Sequence, residues 1–115
     1  MLKIFILIGL FLPTISFASP KQPLNGNQHE NNCRMYMDLA NSIMMQKQNG
    51  VPLVKALEGN DYAYKKNKDE NMNKIVGLII RDAYAQPSYS TQSIKNEQLN
   101  EFSAKYYLGC MEMYE

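Results

Sequence analysis

The chain has 115 residues, with 12 basic and 11 acidic side chains, one histidine and two cysteines. That length accommodates one small domain. The near-balanced charge excludes the strongly basic surface on which a dedicated nucleic-acid binder depends.

Met1-Leu2-Lys3 starts positive, Ile4 to Leu12 is an apolar run, and Pro13 leads to Ser16-Phe17-Ala18. These are the parts of a secretory signal peptide, residues 1–18, with cleavage expected after Ala18. The run meets Pro13, Thr14 and Ser16 well short of the about 20 apolar residues of a membrane span. No stable membrane insertion is therefore expected after cleavage. Cys33 lies too far beyond Ala18 to carry a lipoprotein anchor. Removing residues 1–18 from the 115 leaves 97, and the loss of Lys3 leaves 11 basic against 11 acidic side chains.

Residues 19–32, SPKQPLNGNQHENN, hold Leu24 as their single large apolar side chain. They read as a disordered leader, with the helical domain at 33–115. His29 falls in the leader and is expected to be solvated, neither a metal ligand nor a general base.

Cys33, Tyr36, Met37, Ala40, Ile43 and Met44 recur at the spacing of an amphipathic helix. Asn31 or Asn32 can cap it, and Asn49-Gly50 supplies its stop. Pro52 suits the first turn of a short second helix through Leu57, which Glu58-Gly59-Asn60 should end. Asp61 to Asn71 is charged and reads as a solvated loop, although Tyr62 and Tyr64 precede Lys65, Lys66 and Lys68. Asp69-Glu70-Asn71-Met72-Asn73 imitates the start of a calcium loop, but Lys74 and Ile80 stand where glycine and glutamate are needed.

Met72 to Ala85 is the most apolar segment after the signal, and its broad face predicts a helix at the centre of the bundle. A strand over Ile75 to Ile80 is the alternative; Gly77 and the long helical frame favour helix. Pro87 stops it. Ser90 or Thr91 can cap a last helix, with Leu99, Phe102, Tyr106 and Cys110 on one side and an end near Gly109. The fold class is all-α: a small four-helix domain, three longer helices and one short.

Cys33 and Cys110 are 77 positions apart. In an exported chain they most simply form one disulfide, two free thiols or an intermolecular bond being the alternatives.

The usual constellations of chemistry are missing. With His29 in the leader no Ser-His-Asp set assembles. No phosphate loop, dinucleotide fingerprint or zinc spacing occurs, so neither cofactor nor metal is expected. Asp38, Asp61, Asp69, Glu70, Asp82, Glu97 and Glu101 read as solvated helix faces. Met35, Met37, Met44, Met45, Met72, Met111 and Met113 read as core filling in preference to copper capture. Tyrosines are more suggestive, because on turns they make good interface anchors. Tyr84, Pro87 and Tyr89 form the candidate partner surface, the competing reading being that Tyr84 clamps the corner between two helices.

Cys33, Gln48-Asn49-Gly50-Val51-Pro52, Ala83-Tyr84 followed by Pro87, and Phe102-x-x-x-Tyr106-x-x-x-Cys110 together resemble a group of short exported proteins of Gram-negative bacteria and their prophages. The resemblance covers Cys33 to Cys110. It implies a periplasmic helical domain with one disulfide and supplies no catalytic residues. The plan is also similar to those of small periplasmic immunity proteins and acid-stress chaperones. The function expected is non-enzymatic: binding or inhibition of another envelope protein, with a chaperone as the alternative and an enzyme third.

Overall fold

The structure, a computed structural model, describes residues 26–113; the expected signal peptide and the first residues of the expected leader lie outside the described residues. Four helices follow one another: α1 (Gly26–Gln48), α2 (Leu53–Asn67), α3 (Glu70–Ala85) and α4 (Gln92–Glu112). No strand occurs among the described residues, so the fold is all-α and Ile75 to Ile80 are helical. α1 packs against the other three helices, most extensively along α4, whereas α3 packs against α1 and α2. The hub is therefore α1, not the more apolar α3. α1 is the longest helix, and its buried residues extend from His29 to Met44.

The core joins Ala40, Ile43 and Met44 of α1, Ala56 of α2, Ile79, Ile80 and Ala83 of α3, and Phe102 of α4. Among the described residues only one methionine, Met44, belongs to it; Met35, Met45 and Met113 are exposed. Core filling thus accounts for few of the methionines, because three alanines and a phenylalanine occupy much of the space.

Three boundaries differ from the sequence reading. α1 begins at Gly26, so 26–32 is helix and not leader. His29 is 8 % exposed there, with Nε2 at 3.7 Å from the Cys33 sulfur one turn on. The expected solvated histidine is instead packed beside the disulfide. Glu30 accepts from the Tyr107 hydroxyl at 3.1 Å and pairs with Arg34 at 3.0 Å, which ties this extension to α4. The Arg34 hydrogen bond, then that of Tyr107, holds the Glu30 carboxyl below its ordinary value. Apolar periodicity misses such a segment because an imidazole takes its buried position.

The second helix is not short. It passes through Glu58-Gly59-Asn60 and ends at Lys68, which adopts left-handed geometry at φ 58° and donates its N–H to the Tyr64 carbonyl. Lys65 and Lys66 in the last turn complement the negative end of the helix. Asn60 donates to the Asn73 carbonyl at 3.0 Å and so binds α2 to α3. Asp69 is the N-cap of α3, accepting from the Met72 N–H at 3.0 Å. α4, finally, runs through Gly109 to Glu112, and Cys110 lies inside the helix.

Cys33 and Cys110 form the disulfide, with sulfurs 2.09 Å and Cα atoms 5.4 Å apart. Both are buried, yet they stand apart from the main core cluster. The bond closes one pole of the molecule, where α1 begins and α4 ends. At the opposite pole the Gln48 side-chain amide donates to the Lys95 carbonyl at 2.9 Å, so the two helices run antiparallel. Reduction, or Cys33→Ser with Cys110→Ser, should lower stability by about 2–5 kcal/mol, a large share of what a small domain possesses. Urea unfolding with and without reductant measures this; coincident midpoints would show that helix packing suffices.

Candidate functional site

Tyr84, Pro87 and Tyr89 meet at the second pole, where α3 ends and the chain turns into α4. Tyr84 faces inward. It packs against the core and donates its hydroxyl to the Val51 carbonyl at 2.6 Å, joining the α1–α2 corner to the end of α3. Burial raises its pKa. The clamp reading therefore describes its contacts, and the three residues divide into an internal tyrosine and an external one.

The turn is held by long side chains from both neighbours. The Lys47 ammonium donates to the Gln86 carbonyl and, at 3.2 Å, to that of Pro87. α3 has no basic residue in its own last turn. Lys47 thus supplies from α1 the cation that a helix C-terminus favours, while partial burial lowers its pKa. Gln98 donates to the Pro87 carbonyl at 2.8 Å and accepts from the Gln48 amide at 3.0 Å. Pro87 has no N–H to offer, but its carbonyl gathers two donors.

Tyr89 stands out from this fixed base, 41 % exposed. It forms a wall of two concavities. One, of 270 Å³, lies against α4 and is lined by Ile94, Glu97, Glu101, Phe102 and Lys105. The other, of 120 Å³, is lined by Lys47, Gln48, Ser88 and Lys95. Tyr89 therefore stands between a side bearing two carboxylates and one lysine and a side bearing two ammonium groups, and Ile94 adds a second exposed apolar side chain.

Next to this surface lies the most connected carboxylate of the described residues. Asp82 of α3 receives Lys105 at 2.8 Å and the Tyr106 hydroxyl at 2.7 Å, both from α4, and the Gln86 amide at 3.3 Å from the turn. Burial alone would raise its pKa, but the hydrogen bonds of Lys105 and Tyr106 and the lysine charge outweigh this and hold the carboxyl below its ordinary value. Burial, then the hydrogen bond to Asp82, raises the Tyr106 hydroxyl strongly. Lys105 also sits 5.2 Å from the Phe102 ring centroid. Asp82 was read as one of several solvated acids, since Lys105 and Tyr106 lie more than 20 residues away and leave no local pattern.

A larger groove, 590 Å³, opens between α1, α2 and α3, with Leu39, Ile43, Ala56, Val76 and Ile80 among its walls. Sequence reading missed it because residues 61–67, read as loop, build its outer side as helix. Its polar lining combines the amides of Gln46, Asn60, Asn67 and Asn73 with Ser42, Lys55, Tyr64 and Asp69. Among the described residues no group of three or more histidine, cysteine, aspartate or glutamate side chains could hold a metal ion, and no helix is long and apolar enough to cross a membrane. Comparison with protein-family models, with curated proteins and with solved structures gave no match.

The Asp82 contacts have a definite pH signature. A carboxyl with a lowered folded pKa binds protons more readily in the unfolded chain, so its contribution is present above the unfolded value of about 3.9 and is lost as pH falls through the lower folded value. Asp82→Asn should cost about 1 kcal/mol at neutral pH, allowing for the half-exposed lysine, and nothing once the wild-type carboxyl is protonated. Thermal melts of both proteins across pH 2–7 should converge only at the acid end; a constant offset would mean that the charge is irrelevant.

Proposed function

We propose that this is an exported, periplasmic, non-enzymatic protein that binds and inhibits another envelope protein, with Tyr89 at the centre of the contact. The observation that carries the reading is the exposed Tyr89 between concavities of opposite charge, on a turn held by Lys47, Gln98 and Tyr84. A rigid aromatic with a polar tip contributes contact area at small entropy cost. Charged flanks of opposite sign fix the orientation of a partner. The amino-terminal signal pattern and the Cys33–Cys110 bond support an oxidising compartment.

A photo-crosslinking residue at position 89, in the full chain expressed in its own cells, should give one dominant adduct. The same residue at Leu78, exposed on the far side of α3, should not. Excess purified mature protein should compete the adduct away, and its Tyr89→Ala variant should compete about tenfold less well, the usual effect of removing an aromatic anchor. Equal adducts at 78 and 89, or none at 89, would remove the surface from consideration.

A second reading, an acid-stress chaperone, draws on the Asp82 contacts and the apolar groove. Protonation of Asp82 would release α4 from α3, and the groove offers apolar area to an unfolded client. Aggregation of a denatured test protein should then be suppressed by the wild type once the pH falls through the folded value of Asp82, which lies below the ordinary carboxyl range. A chain that stays folded and inert there is no such chaperone.

A further inference from the structure

We infer that the concavity between the turn and α4 receives an arginine side chain of the partner, its guanidinium against Glu97 and Glu101 and its stem against Ile94 and Tyr89. This rests on the reading of Tyr89 as the centre of a partner surface. It adds the chemistry of what that surface takes.

Two of the acidic charges on α4 have no ion-pair partner among the described residues. Glu101 and Lys105 are four residues apart, the spacing at which a helix ordinarily pairs opposite charges. Lys105 instead reaches Asp82 at 2.8 Å, and Glu101 forms no ion pair among the described residues. Glu97 stands one turn before Glu101, where like charges repel, and it too has no cationic partner among the described residues. Both line the 270 Å³ concavity together with Ile94 and Tyr89, each 41 % exposed, and the edge of Phe102. Lys105 lines it as well, but the Asp82 carboxylate compensates its charge.

The concavity is mainly polar, with Gln86 and Gln98 also in its lining; two carboxylates without an ion pair, beside the exposed Ile94 and Tyr89, complement a cation that carries its own apolar stem. Arginine meets this better than lysine. Its planar fork can engage both carboxylates, and its weakly hydrated guanidinium stacks on aromatic rings. On the other side of Tyr89, Lys47 and Lys95 disfavour a cation, so only one of the two concavities fits.

The test uses the isotope-labelled mature protein with its disulfide intact. Nα-acetyl-arginine amide and its neutral isostere Nα-acetyl-citrulline amide serve as the probes. Arginine should shift the backbone amide resonances of residues 89, 94, 97 and 101 saturably. Citrulline should bind about tenfold more weakly, as should arginine to the Glu97→Gln/Glu101→Gln variant, since a hydrogen-bonded charge is lost in each case. Equal response to citrulline, shifts centred elsewhere, or no shifts would overturn the inference. Specific crosslinking at position 89 that persists undiminished in the double glutamine variant would sink the arginine pocket and leave the partner surface standing. Saturable arginine binding without that crosslink would do the reverse.

Discussion

The rest of the molecule depends on α1 being shared. One helix serves as wall for three others, and each neighbour is fastened to it by its own contacts. α4 is held at the Cys33–Cys110 bond and again at Gln48, α3 through Ile43 and Met44 and through Lys47, and α2 at the tight corner before Leu53. Gly50 makes that corner possible at φ +90°, a region costly for other residues. A core of eight buried side chains, three of them alanine, is modest. Directional bonds between helices carry much of the specificity: Asn60 to Asn73, Tyr84 to Val51, and Tyr106 with Lys105 to Asp82.

These bonds explain how much was legible from sequence. The apolar stripes of α1, α3 and α4 predicted helices because Ile43, Met44, Ile79, Ile80 and Phe102 bury at helical spacing. The cysteine pair followed from its place on two such stripes. The amino-terminal extension of α1 and the second half of α2 did not follow, since a polar helix that packs through His29, or through Ala56, Asn60 and a glycine, lacks the contrast that periodicity detects. Gly59 looked like a stop; in the helix a Cβ there would meet open space, so the position carries the propensity cost without breaking the helix.

The turn between α3 and α4 shows the same limit in the candidate site. The sequence singled out Tyr84, Pro87 and Tyr89 together because they are close along the chain and of the right type. Which tyrosine turns inward is decided by Val51, more than 30 residues away. Glu97, Glu101 and Lys105 were visible as charges on a helix, but the diversion of Lys105 to α3 can be read only once α3 and α4 are placed side by side.

The two poles also set where the protein can be labelled. Gly26 and Met113 lie toward the disulfide end of α1 and α4, whereas Tyr89 sits past the other end of α4. At 1.5 Å per residue, the 21 residues of α4 separate them by about 30 Å. A label placed at Gly26 or at Met113 therefore reports on the pole opposite the turn. A probe at Tyr89 and one at Met113 thus sample the two ends of α4 separately.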